Sequence, residues 1–291
     1  MKISVLTATY NRGKELDKLY KSLLKNSNYG VDIEWLIMDD GSTDKTEEIV
    51  KMFEKDKIEI KYYRQENSGK MRAINKLVEK STGDLIVDCD SDDYFTYNAF
   101  EIIKKIFEKN KDVDNIYGFC FLKYNQNKVN MGKNFKKNKT TMFDLYFKEG
   151  EDGEKAIVFL SKIRKKYIHK LEKEEKFVTE ARMYHEMDLK YEMLCFNEPI
   201  MICEYQKTGY TKNIDKQFKE NPYGYYQYFK EIFNMNMKGV KLNKRLYVIK
   251  HYILFSYLTK NQFNIKKVLG WENKALYILL YIPGIIKSKK F

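Results

Sequence analysis

Histidine, proline and cysteine are scarce, at 3, 3 and 4 residues in a chain of 291. The histidines His169, His185 and His251 show no paired metal-ligand spacing, which argues against a histidine-built zinc centre. The cysteines Cys89, Cys120, Cys195 and Cys203 lack any Cys-x-x-Cys spacing and sit in apolar stretches, so buried free thiols in a reducing compartment are expected. The final apolar run, Ala275 to Ile286, contains Pro283 and Gly284 and falls short of the ~20 residues that a spanning helix needs. It is expected to lie on a bilayer, with Lys274, Lys287, Lys289 and Lys290 at head-group level. Met1 leads straight into Ile3-Ser4-Val5-Leu6, with no charged leader or cleavage site, so it reads as a first strand and not as a secretory signal.

Hydrophobic residues at 43% and aromatics at 15% exclude a disordered or fibrous chain. The net charge of +13 is unevenly placed: Met1 to Tyr205 carries 37 basic and 37 acidic residues, whereas Gln206 to Phe291 carries 17 basic and 4 acidic. A neutral domain followed by a basic, Tyr-rich tail points to an anionic membrane face as partner and not to nucleic acid, whose enzymes usually spread basic residues around the active groove.

Short β-branched runs alternate with helical spacing. Lys2 to Leu6 precedes Leu16, Leu19, Leu23 and Leu24; Ile33 to Met38 precedes Ile49, Val50 and Phe53; Ile58 to Tyr63 precedes Met71, Ile74, Leu77 and Val78; and Leu85-Ile86-Val87 follows. This predicts an α/β fold with a doubly wound, mostly parallel sheet. In such sheets ligands bind beyond the carboxyl ends of the strands, where the polar clusters Thr7 to Asn11, Asp39 to Asp44 and Asp88 to Asp93 all fall. The segment from Lys104 to Lys139 is strand-like at Ile116 to Phe121 and then reads as a long polar loop.

Asp88, Asp90, Asp92 and Asp93 crowd the exit of an apolar strand. Their mutual repulsion calls for a cation, and hard oxygen donors without nearby His or Cys favour Mg2+ or Mn2+ over zinc. Two registers fit an Asp-x-Asp pattern, Asp88-Cys89-Asp90 and Asp90-Ser91-Asp92. The first also resembles the nucleophile motif of haloacid-dehalogenase-like phosphatases, although that motif usually opens the first strand of its fold.

Taken in order, Ser4-Val5-Leu6 with Thr9-Tyr10-Asn11-Arg12, Met38-Asp39-Asp40-Gly41-Ser42-Thr43-Asp44, Asn67-Ser68-Gly69-Lys70 with Ala73 and Asn75, and Gly83-Asp84 leading into Asp90-Ser91-Asp92-Asp93 resemble glycosyltransferase family 2, of GT-A fold. The resemblance is close over the first third of the chain and thins after Phe121. It implies that Thr7, Thr9, Asn11, Asp39 and Asp40 bind the nucleoside of a sugar nucleotide, UDP-linked by expectation. It also implies that Asp90 and Asp93 bind donor with Asp92 as metal ligand, and counting from Gly83-Asp84 favours the later register. Lys70 and Arg72, at the Gly69 turn, could reach the diphosphate or the acceptor. The family's base is a carboxylate opening a helix after the acceptor segment, and Glu180 is the match, with Glu180-Ala181 in place of the usual Glu-Asp pair. His169 and His185 are remote candidates for completing a metal sphere. The Gln-x-x-Arg-Trp element of processive synthases is absent, so transfer of a single sugar is expected.

The expectation is therefore an inverting, metal-dependent glycosyltransferase, cytoplasmic and peripherally bound to the inner face of the membrane, acting on a saccharide or lipid-linked saccharide of a surface polysaccharide. Residues 1–121 would form the Rossmann-like nucleotide-sugar half, 122–205 the acceptor half carrying the base, and 206–291 a helical, basic membrane-docking extension. The rival readings are a phosphohydrolase built on Asp88 and Asp90 and a basic nucleic-acid-binding protein.

Overall fold

The computed structural model describes residues 1–53, 57–172, 174–204 and 214–261. Strand β1 (Lys2–Thr9) is flanked by β2 (Asp32–Asp39) and β4 (Leu85–Asp88), and β3 (Glu59–Arg64) adds to β2; all four run parallel in the spatial order β3-β2-β1-β4. Helices α1 (Leu16–Asn26), α2 (Thr46–Lys51) and α3 (Lys70–Lys80) lie in the three connections. Each helix is set by its apolar stripe: Leu16, Leu19, Tyr20 and Leu23 recur at three- and four-residue steps on α1 and are buried, as are Met71, Ile74, Leu77 and Val78 on α3.

Leu16 and Leu19 of α1, Val50 of α2 and Phe100 of α4 (Ala99–Asn110) pack with Ile3, Val5, Ile33 and Trp35 in one core cluster. Ala73, Ile74 and Leu77 of α3 pack with Leu6, Leu36 and Ile86 in a second. Burial on both faces explains why these strands read as near-continuous apolar runs.

Beyond β4 the sheet is mixed, where the sequence predicted a mostly parallel one. Strand β8 (Lys155–Leu160) runs antiparallel to both β4 and β6 (Ile116–Asn125), and β6 is parallel to β9 (Glu192–Cys203). Short strands β5 (Tyr94–Phe95) and β7 (Lys139–Thr140) pair antiparallel with β9. An antiparallel neighbour needs no helical crossover, so this half carries no β-α-β rhythm to read. Helices α5 (Ser161–Arg164) and α6 (Glu180–Asp188) follow β8, and α6 opens beside the carboxyl ends of β1 and β4. All four cysteines are buried and free, as expected.

The described part of the C-terminal segment, residues 214–261, is helical as anticipated, with α7 (Ile214–Glu220), α8 (Pro222–Phe233) and α9 (Leu242–Leu258). Its helices close over their own aromatic core, in which Tyr225 and Phe229 stack on Phe255 and Phe218 meets Tyr225 edge-on. They are also tied to the preceding half. The Glu175 carboxylate accepts the Tyr223 and Gly224 amides at 2.6 Å each, at the positive end of α8, and Arg182 pairs with Glu231 at 2.9 Å. The described part of this segment is thus a wall of the domain. Among the described residues no helix is long and apolar enough to cross a membrane. The run Ala275 to Ile286 lies outside the described residues.

Candidate active site

The carboxyl ends of β1, β2 and β4 open into a crevice of about 1320 Å³ that extends past α6 to α8 and α9. The sheet accounts for which donor-side residues reach it. Successive strand residues point to opposite faces, so Asp40 and Asp39 diverge. Asp40 borders the crevice and Asp39 does not: its carboxylate takes the Ser42 amide at 2.6 Å and the Tyr62 hydroxyl at 2.5 Å. Thr7 shares a face with Thr9 but sits two residues, roughly 7 Å, below the strand end. Its hydroxyl is buried and accepts the Trp35 indole N–H at 3.0 Å, whereas Thr9 borders the crevice with a buried hydroxyl that has no partner among the described residues. Thr7 and Asp39 therefore hold the strands together and do not open on the crevice.

Asp40 organises the Gln65–Gly69 turn. Its Oδ1 accepts Gln65 Nε2 at 2.7 Å and the Ser68 amide at 2.8 Å, and its Oδ2 accepts the Gly69 amide at 2.8 Å. A carboxylate offers about four acceptor positions, so one remains beside the crevice. Asn11, at a positive φ of 52°, bonds through Oδ1 to the Thr43 amide at 2.7 Å and so latches the first loop to the second. Gly69 is required at its position: its φ is 99°, and a Cβ there would lie 2.0 Å from the Lys176 carbonyl oxygen. Gly69→Ala is expected to destabilise the fold by about 1–3 kcal/mol, read from urea unfolding, because both the backbone region and the contact forbid a side chain.

The acidic strand exit is threaded with cations. Asp92 pairs with Arg12 at 2.6 Å, Asp90 with Lys70 at 2.7 Å, and Asp93 with Lys123 at 3.0 Å. Burial raises the Asp92 carboxyl from its ordinary pKa, with Arg12 opposing, and burial likewise raises Asp93. Asp93 borders the crevice but is only 3% exposed, and its ion-pair partner Lys123 also reaches Glu154 at 3.3 Å. Asp93, Glu154 and Cys203 do come close enough together to hold a metal ion, but Lys123 already supplies their positive charge.

Lys70 joins the two chemical ends of the site. Its ammonium touches Asp90 Oδ1 at 2.7 Å and Glu180 Oε1 at 2.9 Å. Glu180 opens α6 with Thr179 before it in extended conformation, and its second oxygen accepts the Tyr184 hydroxyl at 3.2 Å. The Lys70 ammonium holds the Glu180 carboxyl well below its ordinary pKa, against the opposing effect of burial. Arg72, considered beside Lys70, instead donates to the Ser68 and Glu175 carbonyls at 2.9 and 2.8 Å, which ties the turn to the 174–179 segment.

Asp88 also borders the crevice, and burial pushes its carboxyl up to about 6. Its nearest cation is Arg164 at 3.8 Å, which also contacts His169 at 3.4 Å. Asp88, Asp90 and Asp92 all border the crevice, with Asp90 the most exposed of the three at 47%. Neither His169 nor His185 stands with the Asp90 and Asp92 carboxylates as a ligand set among the described residues. Arg12, Lys123, Tyr184 and Tyr228 are crevice residues that motif reading did not assign. Arg12 alone carried a signal, being adjacent to Asn11.

Comparison with known proteins follows this geometry. An uncharacterized glycosyltransferase of Mycoplasma pneumoniae is 37% identical over 112 residues, which are 38% of this chain and 38% of that protein. Such partial matches span well under two thirds of those relatives. An uncharacterized glycosyltransferase of Mycoplasma genitalium is 26% identical over 99% of this chain and 96% of its own length. Among solved structures, S. aureus TarS 1–349 in complex with UDP-GlcNAc is similar at a TM-score of 0.62 and 17% identity, covering 98% of this chain and 81% of that one. The fold is thus the GT-A fold expected from the motifs and not that of a haloacid dehalogenase. The model of "Glycosyl transferase family 2" matches residues 4–172, more than half of the sequence, and the chain belongs to that family.

Proposed function

We propose that this glycosyltransferase moves one sugar, with inversion, from a UDP-linked donor to a saccharide or lipid-linked saccharide of a surface polysaccharide. The observation that carries the reading is the Lys70 ammonium between Asp90 and Glu180, which brings a donor-side carboxylate and an ionised carboxylate suited to act as base to either side of one gap. A displacement at an anomeric carbon needs a leaving diphosphate on one side and a deprotonated acceptor hydroxyl on the other. Thr9, Asn11 and Asp40 line the end where the nucleoside would lie, and Glu180 lies across the gap. The UDP-GlcNAc held by the TarS neighbour supports a UDP-sugar as the first donor to try.

The Asp90 and Asp92 carboxylates suit Mg2+ or Mn2+. Both are oxygen donors at the crevice, Asp90 is 47% exposed, and the burial of Asp92 demands a positive partner. A bound divalent ion would neutralise the departing diphosphate. Arg12 and Lys70 now supply that charge, and both would be freed to hold phosphate oxygens as the donor enters.

The test is a thermal-shift series with UDP, GDP and their sugars, with and without Mn2+, since a ligand of the folded state raises Tm by mass action. UDP and UDP-sugars should shift Tm more with Mn2+ than without. Asp92→Asn should lose the Mn2+ increment, with affinity falling about 10-fold or more, because a neutral amide is a poor ligand for a hard cation. A Mn2+ effect unchanged in Asp92→Asn, Asp90→Asn and Asp93→Asn alike would remove the metal assignment, and preference for GDP would remove the uridine reading.

The surplus of basic residues after Tyr205 supports peripheral attachment to an anionic bilayer, at ~1 kcal/mol per charge near the surface. Co-sedimentation with anionic vesicles that is lost at high salt is the expected result, and equal pelleting with neutral vesicles would refute it.

A further inference from the structure

The crevice is larger than one donor requires. Small-ligand sites usually measure about 300–1,000 Å³, against about 1320 Å³ here. The remaining space lies beyond Glu180 and is walled by rings: Tyr184 and His185 from α6, Phe147 from the 144–148 turn, and Tyr228 from α8. His185 stacks on Tyr228 with centroids 5.8 Å apart and planes 13° from parallel, and Phe147 meets it edge-on at 6.0 Å. His185 is more than nine-tenths buried and borders the crevice, yet among the described residues its Nδ1 has no hydrogen-bond partner. Burial lowers its pKa to about 3, so the ring is neutral at physiological pH and adds no charge to the wall. Three of these four residues lie after residue 172, outside the segment matched by the family model.

We propose that Phe147, Tyr184, His185 and Tyr228 form the subsite for the acceptor sugar, whose C–H face lies on Tyr228 and Phe147 while a hydroxyl turns past Tyr184 toward Glu180. The proposal rests on the donor reading above and adds to it the acceptor class, a pyranose ring presented face-on. Sugar C–H bonds present a positive surface that suits the negative face of an aromatic ring, and the ring hydroxyls need a few polar groups around that face. The Tyr184 hydroxyl, already 3.2 Å from Glu180 Oε2, supplies one such group and the neutral His185 ring supplies another. Tyr228 is placed by α8, which the Glu175 cap and the Arg182–Glu231 pair hold against the catalytic half. The described C-terminal helices thereby help to choose the acceptor.

The test uses the full chain saturated with UDP and Mn2+, and methyl and octyl glycosides of glucose, galactose and N-acetylglucosamine as probes, read by saturation-transfer NMR. Transfer to ring C–H protons of at least one glycoside is expected, weakened about 5-fold or more in Tyr228→Leu and Phe147→Leu and retained in Tyr228→Phe. Methyl and octyl glycosides that bind alike indicate a free saccharide, and tighter octyl glycosides indicate a lipid-linked one. Fluorotyrosine labelling of the unsubstituted chain, with Tyr228 assigned through Tyr228→Phe, gives a second readout should a leucine variant fail to fold; the Tyr228 resonance should move on adding the glycoside. No transfer from any glycoside to a chain whose Tm responds to UDP overturns the subsite alone, as does transfer unchanged in both leucine variants. Absence of any UDP response overturns the donor reading instead.

Discussion

Glu180→Gln is expected to lower acceptor-dependent turnover by about 100-fold or more while leaving UDP affinity near that of the parent, because general-base assistance contributes on that scale. Binding and chemistry separate here for a geometric reason. In the proposed reading the nucleoside lies against Thr9, Asn11 and Asp40, which border the crevice, whereas Glu180 bonds to Lys70 and Tyr184. Glutamine keeps the shape of the side chain and its contact with Tyr184, yet it cannot take a proton from the acceptor. It also removes one of the two negative partners of Lys70, leaving Asp90 to hold the ammonium alone. Initial rates of UDP release with and without acceptor, together with the UDP-dependent Tm, measure both halves. Full turnover across the whole pH range in the variant would remove Glu180 from the role of base.

What sequence reading could see of this site depended on whether a residue's neighbours are close in the chain. Asp40 and the Asn67-Ser68-Gly69 turn are 28 residues apart, but both sit at strand ends of a regular β-α-β series, where topology brings such loops together. Position along a strand was harder to read: Thr7 and Thr9 differ only in depth, and Asp39 and Asp40 only in face, and in each pair one residue reaches the crevice. The mixed half of the sheet was less legible still. β6 pairs parallel to β9, with shifts of register, across some seventy intervening residues, and no period in the sequence announces it. The Tyr228 wall was invisible for the same reason. Its partner His185 stands 43 residues earlier in the chain, Phe147, which packs on His185, stands 81 earlier, and a tyrosine in a basic helical segment reads as part of a surface.

A lysine at the first position of a helix is commonly solvated, but the ion pairs of Lys70 with Asp90 and Glu180 argue for a second large effect. Lys70→Met is expected to reduce kcat/KM about 100-fold and to move the acid limb of its pH profile upward. The rate falls because the variant loses the ammonium that pairs with both Asp90 and Glu180, where in the proposed reaction a departing diphosphate develops charge. The pH effect follows from what holds Glu180 charged. In the parent, Lys70 is the largest influence on the Glu180 carboxyl and lowers its pKa, while burial acts in the opposite direction. A base must be deprotonated to act, so the parent loses kcat/KM only at a pH below the ordinary carboxylate range. With Lys70 gone, burial dominates, protonation begins at higher pH, and the limb rises toward and past the ordinary glutamate value of about 4.3. The kcat/KM profile is the right measurement because it reports the free enzyme, in which the Lys70–Glu180 pair is intact. A limb that stays in place while the rate falls would mean that Lys70 serves the diphosphate only, and a limb that moves without loss of rate would mean that it serves only to keep the base ionised.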